Sequence, residues 1–208
     1  MKRSLLALLL CLSLSAQAED STDTALKNTA IAGTLLSWGM AWLWGDAPLT
    51  RALVPTQGQH LALTMGTENH TTLAQLIYAR DFASTLLDGP TWQLIGHWEA
   101  SLSNWWADKA QRTEQQGWML GLTPVLQYQF KTVLRPYIEF GIGVKYLSGI
   151  RIADQYKSTQ FQFGDLTGIG IQYRNLQLGF RFLHISNAGI ETPNPATNYY
   201  TLKMDYRF

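Results

Sequence analysis

From Leu61 to the final residue, Phe208, apolar and polar side chains alternate with a period of two, and the alternation restarts about eight times. A period of two marks strands that bury or expose one face at a time. The segments fall near 60–68, 72–82, 91–104, 116–130, 134–148, 159–173, 175–186 and 198–208. In the third, Trp92, Leu94, Trp98, Ala100 and Leu102 share a face opposite Gln93, His97, Glu99 and Ser101. In the fifth, Pro136, Ile138, Phe140, Ile142 and Val144 oppose Arg135, Tyr137, Glu139, Gly141, Gly143 and Lys145. In the seventh, Leu178, Phe180, Phe182, His184 and Ser186 oppose Gln177, Gly179 and Arg181.

A soluble sandwich alternates too, so three further features decide the class. The segments are long enough to cross a membrane when tilted, at about ten residues each or more. Short connections such as Asp88-Gly89-Pro90, Lys131-Thr132-Val133 and Arg174-Asn175 alternate with long ones near 104–116, 148–158 and 187–197, which is the outer-membrane arrangement of tight periplasmic turns and long surface loops. The chain also ends on Tyr200, Leu202, Met204, Tyr206 and Phe208, resembling the aromatic terminal strand of bacterial outer-membrane barrels. The expected fold is therefore all-β: an eight-stranded antiparallel transmembrane β-barrel over residues 60–208 with an N-terminal extension, located in the bacterial outer membrane.

Upstream of the barrel the pattern changes. Residues 1–18 combine Lys2 and Arg3, an apolar run from Leu5 to Leu14 and Ala16-Gln17-Ala18, the three parts of a secretory signal peptide with cleavage expected after Ala18. Residues 19–59 form an extension of unassigned shape. Within it, 29–45 is apolar with Trp38, Trp42 and Trp44 near one end, slightly short for a span, and reads as an amphipathic or interfacial helix.

Composition narrows the chemistry. Lys and Arg number 16 against 15 Asp and Glu, so nothing favours nucleic acid. The one cysteine, Cys11, lies inside the leader, and the mature chain has no disulfide or thiol nucleophile. No cluster has metal-ligand spacing, and no metal or cofactor is expected. A narrow eight-stranded lumen is filled by side chains, so Glu99, Glu139, Lys145, Arg181, Lys203, Asp205 and Arg207 are expected to pair inside it. Trp98, Trp105, Trp106 and Trp118 are expected in the interfacial girdle.

The seventh segment holds the one combination suggesting catalysis. His184 and Ser186 share the apolar, outward face, near the cell-surface end of the wall. A hydrolase with its base and nucleophile turned toward lipid has lipid as its natural substrate. The string His184-Ile185-Ser186-Asn187-Ala188-Gly189-Ile190, with Pro193-Asn194-Pro195 after it and Pro136-Tyr137-Ile138-Glu139-Phe140-Gly141-Ile142-Gly143-Val144 before it, resembles the PagL-type lipid A 3-O-deacylases. The resemblance covers roughly residues 92–208. It implies a serine esterase that removes the ester-linked 3-hydroxyacyl chain at the 3-position of lipid A, with Ser186 as nucleophile and His184 as base. Asn187, Gly189 and Asn194 are the expected oxyanion donors. The family carries a Glu about twelve residues after the serine; here that position is Asn198, with Glu191 the nearest acidic substitute. Lipid A or lipopolysaccharide in the outer membrane is the expected partner, and a homodimer is left open. The alternative is a catalytically silent barrel that binds or scaffolds lipopolysaccharide, and position 198 separates the two.

Overall fold

The computed structural model describes residues 21–45, 49–68, 70–108 and 112–208. The expected leader, residues 1–18, lies outside the described residues. Eight long strands carry the fold: β1 (Pro55–Glu68), β2 (Thr71–Phe82), β3 (Trp92–Ala107), β4 (Gln116–Phe130), β5 (Pro136–Leu147), β6 (Phe161–Tyr173), β7 (Leu176–Ser186) and β8 (Thr197–Arg207). Each pairs antiparallel with its neighbours in sequence, and β1 pairs with β8 in register from His60 opposite Arg207 to Thr67 opposite Tyr200. The sheet is thus a closed meander with no free edge, which removes the liability of unpaired backbone groups in lipid. β1 starts at Pro55, five residues before the alternation becomes readable, because its register with β2 is irregular between Pro55 and Gln59.

Parity holds round most of the wall. Leu63, Met65, Leu76, Leu102, Leu120, Leu122, Leu178, Phe180 and Leu202 are exposed outward, making an apolar belt suited to hydrocarbon. Inside, Arg181 spans two carboxylates: Nη1 and Nη2 donate to Glu99 at 3.0 and 2.7 Å, and Nη2 donates to Glu139 Oε2 at 3.0 Å. Lys203 Nζ lies 3.0 Å from Asp205. All these groups are buried, and pairing is what makes their burial tolerable. Toward the surface end the lumen turns apolar, filled by Leu73, Trp105, Met119, Leu147, Leu183, Ile185 and Tyr199. Trp105 therefore does not belong to the girdle: it is 2% exposed, because its odd number places it on the inward face of β3. Trp98 is also tied down, with its indole N–H donating to Leu53 O at 3.0 Å.

The extension adds helix α1 (Ser21–Trp44) and one short turn, α2 (Leu49–Ala52). At 1.5 Å per residue, α1 is about 36 Å long. It lies along the outer wall over β5, β6 and β7. Its buried face is a strip of small residues, Ala30, Thr34, Ser37 and Ala41, spaced to fall on one side of a helix. Small residues let a helix approach its partner closely where no water is displaced. A side chain at Gly33 would run into the Phe140 ring. The bulky residues Leu36, Trp42, Leu43 and Trp44 point away from the wall and are exposed. The lower end is anchored by apolar packing of Trp38, Met40 and Ala41 with Phe82, Leu86, Leu94 and Leu126, which explains why Leu94 and Leu126 are buried despite facing outward.

Candidate active site at the β7–β8 hairpin

β7 ends at Ser186, β8 begins at Thr197, and the antiparallel register sets His184 directly opposite Asn198. Both point outward, as their even numbering demands, yet both are only 3% exposed. The histidine Nδ1 and Asn198 Oδ1 are 2.7 Å apart. An amide oxygen can only accept, so Nδ1 carries the proton and Nε2 keeps its lone pair, the tautomer a general base needs. Ser186 follows on the same face, two residues and therefore about 6.6 to 6.8 Å along the strand, within reach of an imidazole that leans toward it.

Asn198 is held on three sides. Its backbone N–H donates to Glu68 Oε2 at 2.6 Å, and its side-chain Nδ2 donates to Asp23 Oδ2 at 2.7 Å. Asp23 also accepts from the Tyr200 hydroxyl. Glu191, the acidic alternative for the third position, is exposed in the loop; its backbone carbonyl accepts from Asn187 Nδ2 at 2.9 Å.

The loop after Ser186 is a clasp. Asn187 N–H donates to Asn194 Oδ1 at 2.8 Å, and Gly189 N–H donates to Asn187 Oδ1 at 2.9 Å. Two of the expected oxyanion donors, the amides of Asn187 and Gly189, are thus already engaged by asparagine side chains that shape the turn. Between them Ala188 is exposed with φ at 54°, and among the described residues its N–H donates to no group. Lys157 braces the loop from the β5–β6 connection. Its ammonium is fully buried and donates to Ile185 O at 3.2 Å and Pro195 O at 2.6 Å. Ser158 Oγ donates to Pro193 O at 2.6 Å. Farther out, Arg112 pairs with Asp154 and Thr113 N–H donates to it at 2.9 Å. The Arg112 hydrogen bond, then the Thr113 amide, hold that carboxyl below its usual range. Asp23, Glu68 and Lys157 were not legible as site residues. Each acts across a long sequence separation, and none sits in a string that marks it.

A family model described as "Lipid A 3-O-deacylase (PagL)" matches residues 72–207. The chain belongs to that family. Lipid A deacylase PagL of Bordetella bronchiseptica is 33% identical over 156 residues, 74% of this chain and 85% of that protein. Lipid A deacylase PagL of Pseudomonas aeruginosa is 35% identical over 114 residues, 54% of this chain; the match spans 64% of that protein's length. Among solved structures, the outer membrane enzyme PagL superposes with a TM-score of 0.65 at 28% identity, covering 71% of this chain and 98% of that one. PagL membership accounts for the barrel and its outward belt. The extension, including α1, lies upstream of the matched residues.

Proposed function

We propose that this protein is a lipid A deacylase of the outer membrane, cleaving the ester that holds the 3-hydroxyacyl chain at the 3-position of lipid A. The observation that carries this reading is the 2.7 Å contact between His184 Nδ1 and Asn198 Oδ1, which assigns Nε2 the part of base, with Ser186 two residues along the same strand. Ser186 Oγ attacks the ester carbonyl while His184 Nε2 takes its proton. The tetrahedral intermediate collapses, and His184 returns the proton to the departing sugar oxygen. The acyl-serine ester is then hydrolysed by water through the same base, releasing the hydroxy fatty acid. The oxyanion is met by the Ala188 amide, the one left uncommitted in the turn, and by the side-chain amide of Asn194, whose oxygen alone is used inside the clasp. No metal enters these steps: the base is a histidine and the charge is met by amides.

The scaffold alternative draws on Asn198. In a Ser-His-Asp hydrolase, exchanging the orienting carboxylate for an amide costs roughly 10⁴ in turnover. That cost arises from the wrong tautomer, and here the amide presents its oxygen to the histidine. Mass spectrometry of lipid A from cells with and without the protein tests the reading. Loss of one hydroxyacyl chain, abolished by Ser186→Ala, is expected; an unchanged profile in cells making the folded parent protein favours the scaffold.

A further inference from the structure

We infer that Asp23, on the first turn of α1, is a positioning residue for His184, supplying through Asn198 the carboxylate that the third position lacks. The inference rests on the serine esterase reading above and concerns how its base is oriented. Asn198 has two ends that a half-turn about its last side-chain bond would exchange. With Nδ2 toward His184, the amide would offer a donor to Nδ1, favour the Nε2–H tautomer and remove the base. Asp23 excludes this. Its carboxylate only accepts hydrogen bonds, and it lies 2.7 Å from Asn198 Nδ2; the reversed amide would set oxygen against oxygen at that distance. The Tyr200 hydroxyl occupies the other carboxylate oxygen, so Asp23 is itself fixed. Asp23 stands in the first turn of its helix, where the macrodipole favours negative charge. His184, Asn198 and Asp23 therefore form one chain of hydrogen bonds running from a neutral base to an anion, with the amide as relay of orientation rather than of protons.

The arrangement exchanges the usual order of parts. A carboxylate at position 198 would touch the histidine directly; here an amide touches it and the carboxylate stands one residue behind, 175 positions earlier in the chain. A contact that merely docked the helix would need neither the direction of the amide nor its alignment with the imidazole.

The test uses the full-length protein in detergent micelles with lipid A carrying the 3-position ester. Asp23→Asn keeps the size of the side chain but removes the anion that forbids reversal; kcat is expected to fall about tenfold to a hundredfold, by analogy with other groups that orient a histidine from behind, with KM little changed. Asp23→Glu, which restores an acceptor, is expected to recover part of that loss. Adding Asn198→Asp to Asp23→Asn moves the carboxylate onto the histidine and is expected to bring kcat back to the parent level or above it. Folding is followed by the shift in gel migration between heated and unheated samples. A parent-like kcat in folded Asp23→Asn, or a double variant no better than Asp23→Asn, overturns the inference. If Ser186→Ala leaves deacylation intact, the esterase assignment itself is what fails.

Discussion

Arg181 and His184 stand three residues apart on β7 and serve opposite sides of one wall. Arg181 faces the lumen, where the carboxylates of Glu99 and Glu139 take up its guanidinium. His184 faces outward and meets a neutral amide that is itself bonded to a carboxylate. An ion-paired guanidinium has no lone pair with which to accept a proton from a substrate. A neutral imidazole whose Nδ1 is held by an amide oxygen can take one at Nε2. The comparison teaches that burial alone does not distinguish structural from reactive polar groups, since both residues are 3% exposed; what differs is whether the partner is a pair of carboxylates or a neutral amide.

The largest expected break in that comparison comes from Ser186→Ala. It should lower kcat by about 10⁶, as loss of a hydrolase nucleophile does, with the denaturant midpoint of the barrel unchanged. Arg181→Met acts on the other side, leaving Glu99 and Glu139 buried without their cation. It should cost about 3–5 kcal/mol in equilibrium unfolding, while any residual activity per folded molecule stays near the parent's. Asn198→Ala removes the acceptor for His184 Nδ1 and should reduce kcat roughly a hundredfold without a comparable loss of stability. The smallest effect is expected of Gly33→Ala, which forces α1 away from Phe140. Overpacking of this kind costs about 1–3 kcal/mol, read here as faster proteolysis of the extension in an otherwise folded barrel. An Arg181→Met variant with full stability, or an Asn198→Ala variant with full activity, would dissolve the distinction between the two clusters.

Much of the wall was legible in the sequence because strand parity is local. Leu178 and Phe180 outward, with Gln177 and Arg181 inward, follow from position alone, and the register that joins His184 to Asn198 extends the same rule across one hairpin. Residue type assigns Trp105 to the girdle, whereas its odd position on β3 puts it on the inner face, where it is buried. Two of the expected oxyanion donors are engaged elsewhere, for a different reason. Residue type indicates that Asn187, Gly189 and Asn194 can donate, whereas only the closed loop reveals that the Asn187 and Gly189 amides are spent on neighbouring side chains. Asp23 and Lys157 lay beyond reach because no periodicity links a helix or a surface loop to a strand far along the chain.

Helix α1 precedes every strand in the chain, yet the surface it lies on is made by β5, β6 and β7, and its first turn is fastened to β8. Such a helix has nowhere to rest until the last hairpin has been laid down. The order of synthesis and the order of completion are therefore reversed, and the reactive centre gains its final member only in a finished barrel. A precursor crossing the periplasm would carry all the parts of an esterase without being one, protected from attacking lipids on its route by timing rather than by an inhibitor.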